Sequence, residues 1–319
     1  MTRRRLALPG LVSLSAALAC GGGKAAPAPA PVAAPGAAAA RLVLHVVRVR
    51  GTELRFVERG AGIPVVLVHG SLGTLENWGP QIDAFATRFR VIAYSRRYHW
   101  PNAAQPDGQG YSLSLHADDL IGLIETLGLE RVHLVGASYG AYVALLVTLR
   151  RPDLVRSLVL AEPPILPWLG RTPGGDSLLH TFDRTVFKAA RAAFARGDSV
   201  GAVQRFWDGA AGPLSPFDAL PEAARTRLVR LAFELRLETL ADPAEYMPAL
   251  ACNDVGGIRS SVLLVTGERS PRMFHVIDEE LARCLPAEEA VTVPGAGHGV
   301  NGDNPGFYNG AVLQFLTKN

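Results

Sequence analysis

A serine between two glycines, in the stretch Gly136-Ala137-Ser138-Tyr139-Gly140, has the G-x-S-x-G spacing of a nucleophilic serine. Residues 132–135 before it predict a buried strand, and residues 141–150 after it predict a helix. A sharp turn between the two elements would point the Ser138 hydroxyl out of a sheet, and the glycines allow close packing. The pattern therefore predicts nucleophilic attack by Ser138 on a carbonyl group.

A histidine late in the chain, His298, is the candidate general base for this serine. It ends the glycine-rich stretch 294–298, which follows a predicted strand at 290–293. Of the eight histidines, His298 alone combines a late strand end with neighbouring glycines, which leave its ring free to reach across a sheet edge. The rival base is His99, which follows the predicted strand 91–94. We expect His99 in the wall of the pocket rather than in the chemistry.

Short apolar runs alternate with helical patterns along residues 41–319, and this alternation predicts the elements that position these side chains. Hairpin strands at 42–49 and 53–58 precede buried strands at 64–68, 91–94, 132–135, 158–160, 262–265 and 290–293. Such alternation favours an α/β fold, with a mainly parallel sheet covered by helices on both faces and the hairpin as its antiparallel edge. Residues 167–257 contain helical patterns and no strong strand, which indicates a helical cap inserted before the last two strands.

The order of these motifs resembles that of the α/β-hydrolases with a helical cap, over nearly all of residues 42–318. The His69-Gly70 loop, the turn at Ser138, the cap and His298 follow one another as in that family. The resemblance implies an α/β-hydrolase fold and a serine hydrolase. It also implies that the nucleophile, the acid and the base come in this order along the chain.

The resemblance further implies an oxyanion hole made of backbone N–H groups. One donor would come from the loop after strand 64–68, with Ser71 as the first candidate and Leu72 next, and the other from Tyr139. His69 would brace that loop rather than touch substrate. We expect Leu72, His99 and Trp168 to contribute to the substrate-binding wall.

The acid of the triad has two candidate positions. Many α/β-hydrolases have Asp a few residues after the strand at 262–265, but here Ser270 occupies that place and cannot stabilise an imidazolium. Another position known in the superfamily follows the strand after the nucleophile helix, and here Glu162 occupies it. Glu162 is therefore the predicted acid, and Glu268 is the alternative.

The predicted reaction is hydrolysis of a carboxylic ester or lactone through an acyl-enzyme on Ser138. Aromatic residues of the cap favour a small-molecule apolar substrate; they are Trp168, Phe182, Phe187, Phe206 and Trp207. Carbon–carbon and amide bonds are alternatives, because the same machinery cleaves them. Since Ser270 replaces the expected Asp, a lipid-tethered binding protein with a degenerate site is the alternative from another class. A serine nucleophile disfavours the haloalkane and epoxide branches of the fold, where an aspartyl ester forms.

Cofactor and nucleic-acid classes find no support in the sequence. It has no H-E-x-x-H, no C-x-x-C and no glycine pattern for phosphates, so we expect neither metal nor cofactor. The net charge of +3 over 319 residues, without a basic stripe, gives no argument for nucleic acid. Cys252 and Cys284 could form a disulfide or remain free thiols, and their spacing does not decide between the two.

The first forty residues have the pattern of an export signal followed by a tether. A cluster of arginines at 3–5 precedes a short apolar run at 6–18, which is too short to span a bilayer. The small residues around Cys20 resemble a bacterial lipoprotein cleavage site, so residues 1–20 are interpreted as a signal peptide and Cys20 as the lipidated residue. Ordinary signal cleavage is the alternative. Residues 21–40 are rich in Ala, Pro and Gly and indicate a tether. We therefore expect a periplasmic or cell-envelope lipoprotein that contacts a membrane only through its anchor.

Overall fold

The computed structural model of the protein describes residues 42–103 and 110–319. Within this part of the chain, eight strands form one sheet in the order β1-β2-β4-β3-β5-β6-β7-β8. The strands are β1 (Leu44–Val49), β2 (Thr52–Arg59), β3 (Pro64–Val68), β4 (Arg90–Tyr94), β5 (Val132–Ala137), β6 (Val155–Ala161), β7 (Ser261–Gly267) and β8 (Glu288–Val293). β2 pairs antiparallel with β1 and β4, and every other neighbouring pair is parallel. The predicted α/β fold with an antiparallel edge hairpin is confirmed.

The helices that follow these strands lie on both faces of the sheet and in the cap. They are α1 (Gly79–Phe85), α2 (Leu113–Thr126), α3 (Tyr139–Arg150), α4 (Gly175–Phe182), α5 (Lys188–Ala195), α6 (Ser199–Ala211), α7 (Glu222–Arg230), α8 (Ala232–Leu240), α9 (Pro243–Tyr246), α10 (Cys252–Gly256), α11 (Arg272–Cys284), α12 (Val300–Asp303) and α13 (Pro305–Lys318). A π-helical turn, Asp183–Phe187, joins α4 to α5.

The central strands β3 to β7 are mostly apolar because both faces of the sheet are covered there. In β3, Val66 and Val68 pack in the core that contains α2, α3 and α11. Val65 and Leu67, which point to the opposite face, pack in the core that contains α1 and α13. This two-sided burial is why the sequence of β3 is a continuous apolar run instead of an alternating one.

The parallel arrangement brings several loops to one edge of the sheet. β3, β5, β6, β7 and β8 run in the same direction, so the loops after them leave at the same, carboxyl edge. This is the edge at which ligands bind in open α/β sheets. The helical segment between β6 and β7, which we call the cap, extends from Leu166 to Gly256.

A disulfide bond joins Cys252 of α10 to Cys284 at the end of α11. The sequence left a disulfide and two free thiols as equal alternatives, and the structure contains the disulfide. The bond ties the last helix of the cap to a helix that packs on the sheet.

The part of the chain that the structure describes contains no helix long and apolar enough to cross a membrane. The predicted signal peptide at 1–20, the tether at 21–40 and the lipidation site Cys20 lie outside the described residues.

Candidate active site

Ser138 lies in the tight turn between β5 and α3, with φ 51° and ψ −126°. Its N–H donates to the carbonyl oxygen of Ala161 at 2.7 Å, which ties the turn to the neighbouring strand β6. A Cβ on Gly140 would lie 2.2 Å from the carbonyl oxygen of Val68, and a Cβ on Gly136 would lie 2.5 Å from the Cα of Ala141. Both contacts are backbone contacts, so the turn requires the two glycines of the motif.

The side chains of Ser138, His298 and Glu162 form a continuous hydrogen-bonded chain. Ser138 Oγ donates to His298 Nε2 at 2.9 Å, and His298 Nδ1 donates to Glu162 Oε2 at 2.5 Å. Glu162 is fully buried, and its second oxygen, Oε1, accepts from the N–H of Gly267 at 2.7 Å. The ring of Phe274 stacks on the ring of His298 with centroids 3.9 Å apart. The imidazole is therefore held from one side by a carboxylate and over its face by an aromatic ring.

The loop after β7 donates a hydrogen bond to the carboxylate of Glu162 but does not supply the acid itself. Its residue Gly267 donates the backbone hydrogen bond to Glu162, while Ser270 is buried and its hydroxyl has no partner among the described residues. Glu268 is exposed and its Oε2 accepts from the N–H of Gly295 at 2.6 Å. Glu268 thus braces the loop that carries His298, and the structure places Glu162, not Glu268, against the imidazole.

Backbone strain is concentrated around these residues. Among the described residues, five non-glycine residues have positive φ, and three of them are Ser138, Glu162 and Leu72, with φ near 50°. Each of the three lies in a loop that follows the carboxyl end of a strand. A backbone conformation of this kind costs on the order of 1–3 kcal/mol per residue. Such strain persists only where the surrounding contacts fix it, as the Glu162–Gly267 and Ser138–Ala161 hydrogen bonds do here.

The loop after β3 and the start of α3 present backbone N–H groups next to Ser138. Tyr139 is the first residue of α3, where an N–H has no acceptor within the helix. Within residues 42–103 and 110–319, neither the N–H of Ser71 nor that of Tyr139 has a hydrogen-bond partner. A Cβ on Gly70 would lie 2.9 Å from Ser138 Cβ, which shows how closely the loop approaches the serine. The arrangement is suited to two donors that converge on an oxyanion.

Arg96 and His69 fix the orientation of this loop. Arg96 is fully buried, and its Nε and Nη2 donate to the carbonyl oxygens of His69 and Gly70 at 3.0 and 3.1 Å. His69 Nδ1 donates to the same Gly70 oxygen at 2.9 Å, and its Nε2 accepts from the N–H of Arg96. Burial and then the Arg96 charge lower the pKa of His69 well below its usual value, so the ring is neutral and both hydrogen bonds are compatible with one tautomer. The peptide group between Gly70 and Ser71 is therefore held by its oxygen, and no described residue accepts a hydrogen bond from its N–H.

A buried carboxylate of the cap contacts the same loop. Glu238 of α8 accepts hydrogen bonds at Oε1 from the hydroxyls of Ser71 and Tyr246. The Tyr246 ring in turn stacks on Tyr139, with centroids 4.9 Å apart. Burial raises the pKa of Glu238. This contact connects the cap directly to the loop beside the serine.

A cavity of about 160 Å³, which we call the catalytic cavity, has Ser138, His298 and Ser71 in its wall. Most of its cap wall is apolar and consists of Phe182, Phe187, Phe206, Trp207, Tyr246 and Met247. Ser138, His298 and Ser71 thus face a largely apolar chamber between sheet and cap.

Comparison with known proteins agrees with this geometry. The model of the Alpha/beta hydrolase family matches residues 65–311. The chain belongs to this family. It is 29% identical over 261 residues to sn-1-specific diacylglycerol lipase ABHD11 of Mus musculus, covering 79% of this chain and 80% of that protein.

The hydrolase is also similar to a second relative in sequence and to a solved structure in fold. It is 29% identical over 263 residues to 2-(acetamidomethylene)succinate hydrolase of Mesorhizobium japonicum, covering 81% of this chain and 90% of that protein. The crystal structure of carboxylesterase CesB from Bacillus subtilis is similar in fold, with a TM-score of 0.65 and 20% identity over 87% of this chain and 92% of the other. The hydrolase is therefore an enzyme of the α/β-hydrolase type.

Two side chains expected in the substrate-binding wall of the hydrolase lie elsewhere. His99 is fully buried behind the loop, where its Nδ1 donates to the carbonyl oxygen of Gly73 at 2.9 Å. Trp168 is buried at the base of the cap, and its Nε1 donates to the carbonyl oxygen of Leu250 at 2.7 Å. Neither residue lines the catalytic cavity, and each uses its polar group to bind a backbone carbonyl. The third residue, Leu72, does line the catalytic cavity.

Sequence reasoning missed several residues of the site. Phe274, Tyr246 and Met247 line the catalytic cavity, and nothing in their local sequence distinguishes them from core residues. Arg96 and Glu238 were also missed. Glu238 lies three residues after Leu235 on the buried face of α8, but Glu234 and Thr239 lie on that face too, so no apolar stripe marked its burial.

Proposed function

We propose that this hydrolase cleaves a carboxylic ester or a lactone through an acyl-enzyme on Ser138. The observation that carries the proposal is the unbroken hydrogen-bonded chain from Ser138 Oγ through His298 to Glu162. Beside it lie two backbone N–H groups that have no partner in the part of the chain that the structure describes. This arrangement of nucleophile, base, orienting acid and oxyanion donors is the one that acyl transfer requires.

Each group has a role that follows from its geometry. As Ser138 Oγ attacks the carbonyl carbon, its proton passes to His298 Nε2 at 2.9 Å. Glu162, held by Gly267, keeps Nδ1 protonated and stabilises the imidazolium that forms. The N–H groups of Ser71 and Tyr139 stabilise the tetrahedral oxyanion. His298 then protonates the leaving alcohol, and water activated by the same ring releases the acid.

The apolar wall of the catalytic cavity supports an apolar substrate. Five aromatic residues of the cap suggested an apolar substrate from the sequence. Four of them line the cavity; they are Phe182, Phe187, Phe206 and Trp207. The name of the lipase from Mus musculus describes an ester hydrolase, which also favours the ester. An amide is the second candidate, because the Mesorhizobium japonicum relative is named as a hydrolase of an acetamido compound.

A fluorophosphonate probe tests the proposal, because it reacts only with an activated serine. We expect one phosphonyl group per folded chain, located on Ser138 by peptide mapping. Hydrolysis of p-nitrophenyl esters, from acetate to decanoate, should fall in proportion to the labelled fraction. A folded protein that neither reacts with the probe nor hydrolyses any ester of the series would instead favour a binding protein with a degenerate site.

We also propose that the hydrolase is exported and anchored through a lipidated Cys20. The disulfide between Cys252 and Cys284 supports export, since such bonds persist in oxidising compartments. The variant Cys20→Ala should lose metabolic labelling by fatty acid in a bacterial host, while the wild type partitions into the membrane fraction. Equal labelling of both proteins would exclude lipidation at this residue.

A further inference from the structure

A second cavity lies within the cap and is separated from the catalytic cavity by a single layer of side chains. Its volume is about 450 Å³, and we call it the cap cavity. Phe182, Phe187, Tyr246 and Met247 line both cavities. The two spaces are therefore neighbours across these four side chains.

The wall of the catalytic cavity suggests an apolar substrate, but the volume of the cavity is small. Its 160 Å³ lies below the roughly 300–1,000 Å³ of typical small-molecule sites. The space accommodates the reacting carbonyl and a short substituent next to Ser138. A longer substrate must extend into an adjoining space.

The cap cavity has the chemistry to receive an apolar extension. Its buried wall includes Leu166, Met247 and the aromatic rings shared with the catalytic cavity. Most charged groups in its wall have a partner: Asp183 pairs with Lys188, and only the buried Oε2 of Glu238 has none among the described residues. Arg191 donates to the carbonyl oxygen of Thr239, and Glu238 accepts the hydroxyls of Ser71 and Tyr246. His180 is exposed.

Phe187 is the most exposed of the four side chains in the shared layer. Tyr246 is held by its hydroxyl on Glu238 and by stacking on Tyr139, and Phe182 is buried. Phe187 is only half-buried, and its ring has aromatic contacts with no polar anchor. It belongs to the π-helical turn, a feature often found at functional sites of helices.

A third cavity, of about 420 Å³, also adjoins the catalytic cavity, through Leu72, Asn77 and Trp207. Its wall includes the exposed residues Glu76, Arg227 and Arg230, and it lacks the rings of Phe182, Phe187 and Tyr246 that line the cap cavity. We call it the side cavity. An apolar chain is better accommodated in the cap cavity.

We propose that the cap cavity binds the apolar end of the substrate, a medium-length or long acyl chain, and that Phe187 is the gate between this subsite and Ser138. The proposal rests on the ester hydrolase activity proposed above. Each CH₂ group that enters an apolar subsite should raise kcat/KM about fourfold. The wild type is therefore expected to prefer p-nitrophenyl decanoate to the butyrate.

The test compares two alanine-to-tryptophan variants of the full chain. Ala241 lines the cap cavity only, and Ala224 lines the side cavity only; both are half-buried. Ala241→Trp should lower the decanoate-to-butyrate ratio of kcat/KM about tenfold or more, since losing two buried CH₂ groups already costs about 15-fold. The same ratio in Ala224→Trp should stay within about twofold of wild type. An unchanged ratio in Ala241→Trp, or an equal fall in Ala224→Trp, overturns the proposal.

Labelling with ethyl and decyl fluorophosphonate separates this proposal from the ester activity. If Ser138 reacts with neither probe, the proposed function fails and the subsite proposal with it. If Ser138 reacts with both, the decyl-to-ethyl rate ratio should fall in Ala241→Trp alone, and a constant ratio refutes the subsite only. Leu179→Trp, in the same wall, replaces Ala241→Trp if that variant does not fold.

Phe187→Ala should raise the decanoate-to-butyrate ratio of kcat/KM. An unchanged ratio in this variant contradicts the role of Phe187 as the gate.

Discussion

Replacement of Ser138 by alanine is expected to lower kcat for ester hydrolysis by about 10⁶, the loss seen when a triad nucleophile is removed. The variant keeps the backbone of the turn, since its N–H still donates to Ala161 and the glycines at 136 and 140 are untouched. What disappears is the hydroxyl at 2.9 Å from His298 Nε2. The residual rate would come from the oxyanion donors and substrate binding alone.

Ser71→Ala is the matched control for this prediction, because Ser71 is the other serine of the catalytic cavity. Its proposed role belongs to the backbone N–H, which alanine retains, whereas its hydroxyl donates to Glu238. We expect a loss of about tenfold or less from the weakened contact with the cap. Steady-state kinetics on p-nitrophenyl butyrate measure both variants. A Ser138→Ala protein within tenfold of wild type, or an equal loss in the two variants, would contradict the assignment.

Replacement of Glu162 by glutamine should lower kcat by about 10⁴ with little effect on folding. Glutamine is isosteric, and its amide oxygen can still accept the Gly267 N–H. Its amide group would then donate toward His298 Nδ1, which must accept and leave its proton on Nε2. In that tautomer the ring cannot take the proton of Ser138, and the neutral amide does not stabilise an imidazolium.

Glu268→Gln is the matched control, since Glu268 was the alternative acid. It is exposed, and glutamine can keep its hydrogen bond with the N–H of Gly295. We expect kcat within about twofold of wild type. Thermal unfolding of both variants shows whether the fold is retained. The acid is misassigned if Glu268→Gln loses activity by orders of magnitude while Glu162→Gln remains active.

The sequence predicts the fold well because the central strands, β3 to β7, are buried on both faces. A continuous apolar run such as 64–68 has few structural alternatives, and all eight strands were found from such runs and the hairpin pattern. Helix α1 was missed, because it is short and begins with Gly79-Pro80, which suggests a loop. In the cap, the chain divides at Leu231 into two helices, α7 and α8, and both consist largely of good helix formers.

The nucleophile, base and acid of the candidate site were predictable because these residues follow the ends of strands. Ser138, Glu162 and His298 each follow a parallel strand, so topology alone brings them to one edge. The cap side of the site was not predictable, because it depends on which face of each helix meets the cavity. Trp168 shows this limit, since its aromatic character suggested the pocket but its indole supports the backbone at Leu250.

The most direct test of the account is the intact mass of the hydrolase quenched in acid during turnover of p-nitrophenyl butyrate. An acyl-enzyme mechanism predicts a species heavier by one butyryl group, whose peptide map places the modification on Ser138 and which is absent in Ser138→Ala. Turnover without any covalent species, or a butyryl group on another residue that persists in Ser138→Ala, would contradict nucleophilic catalysis by this serine.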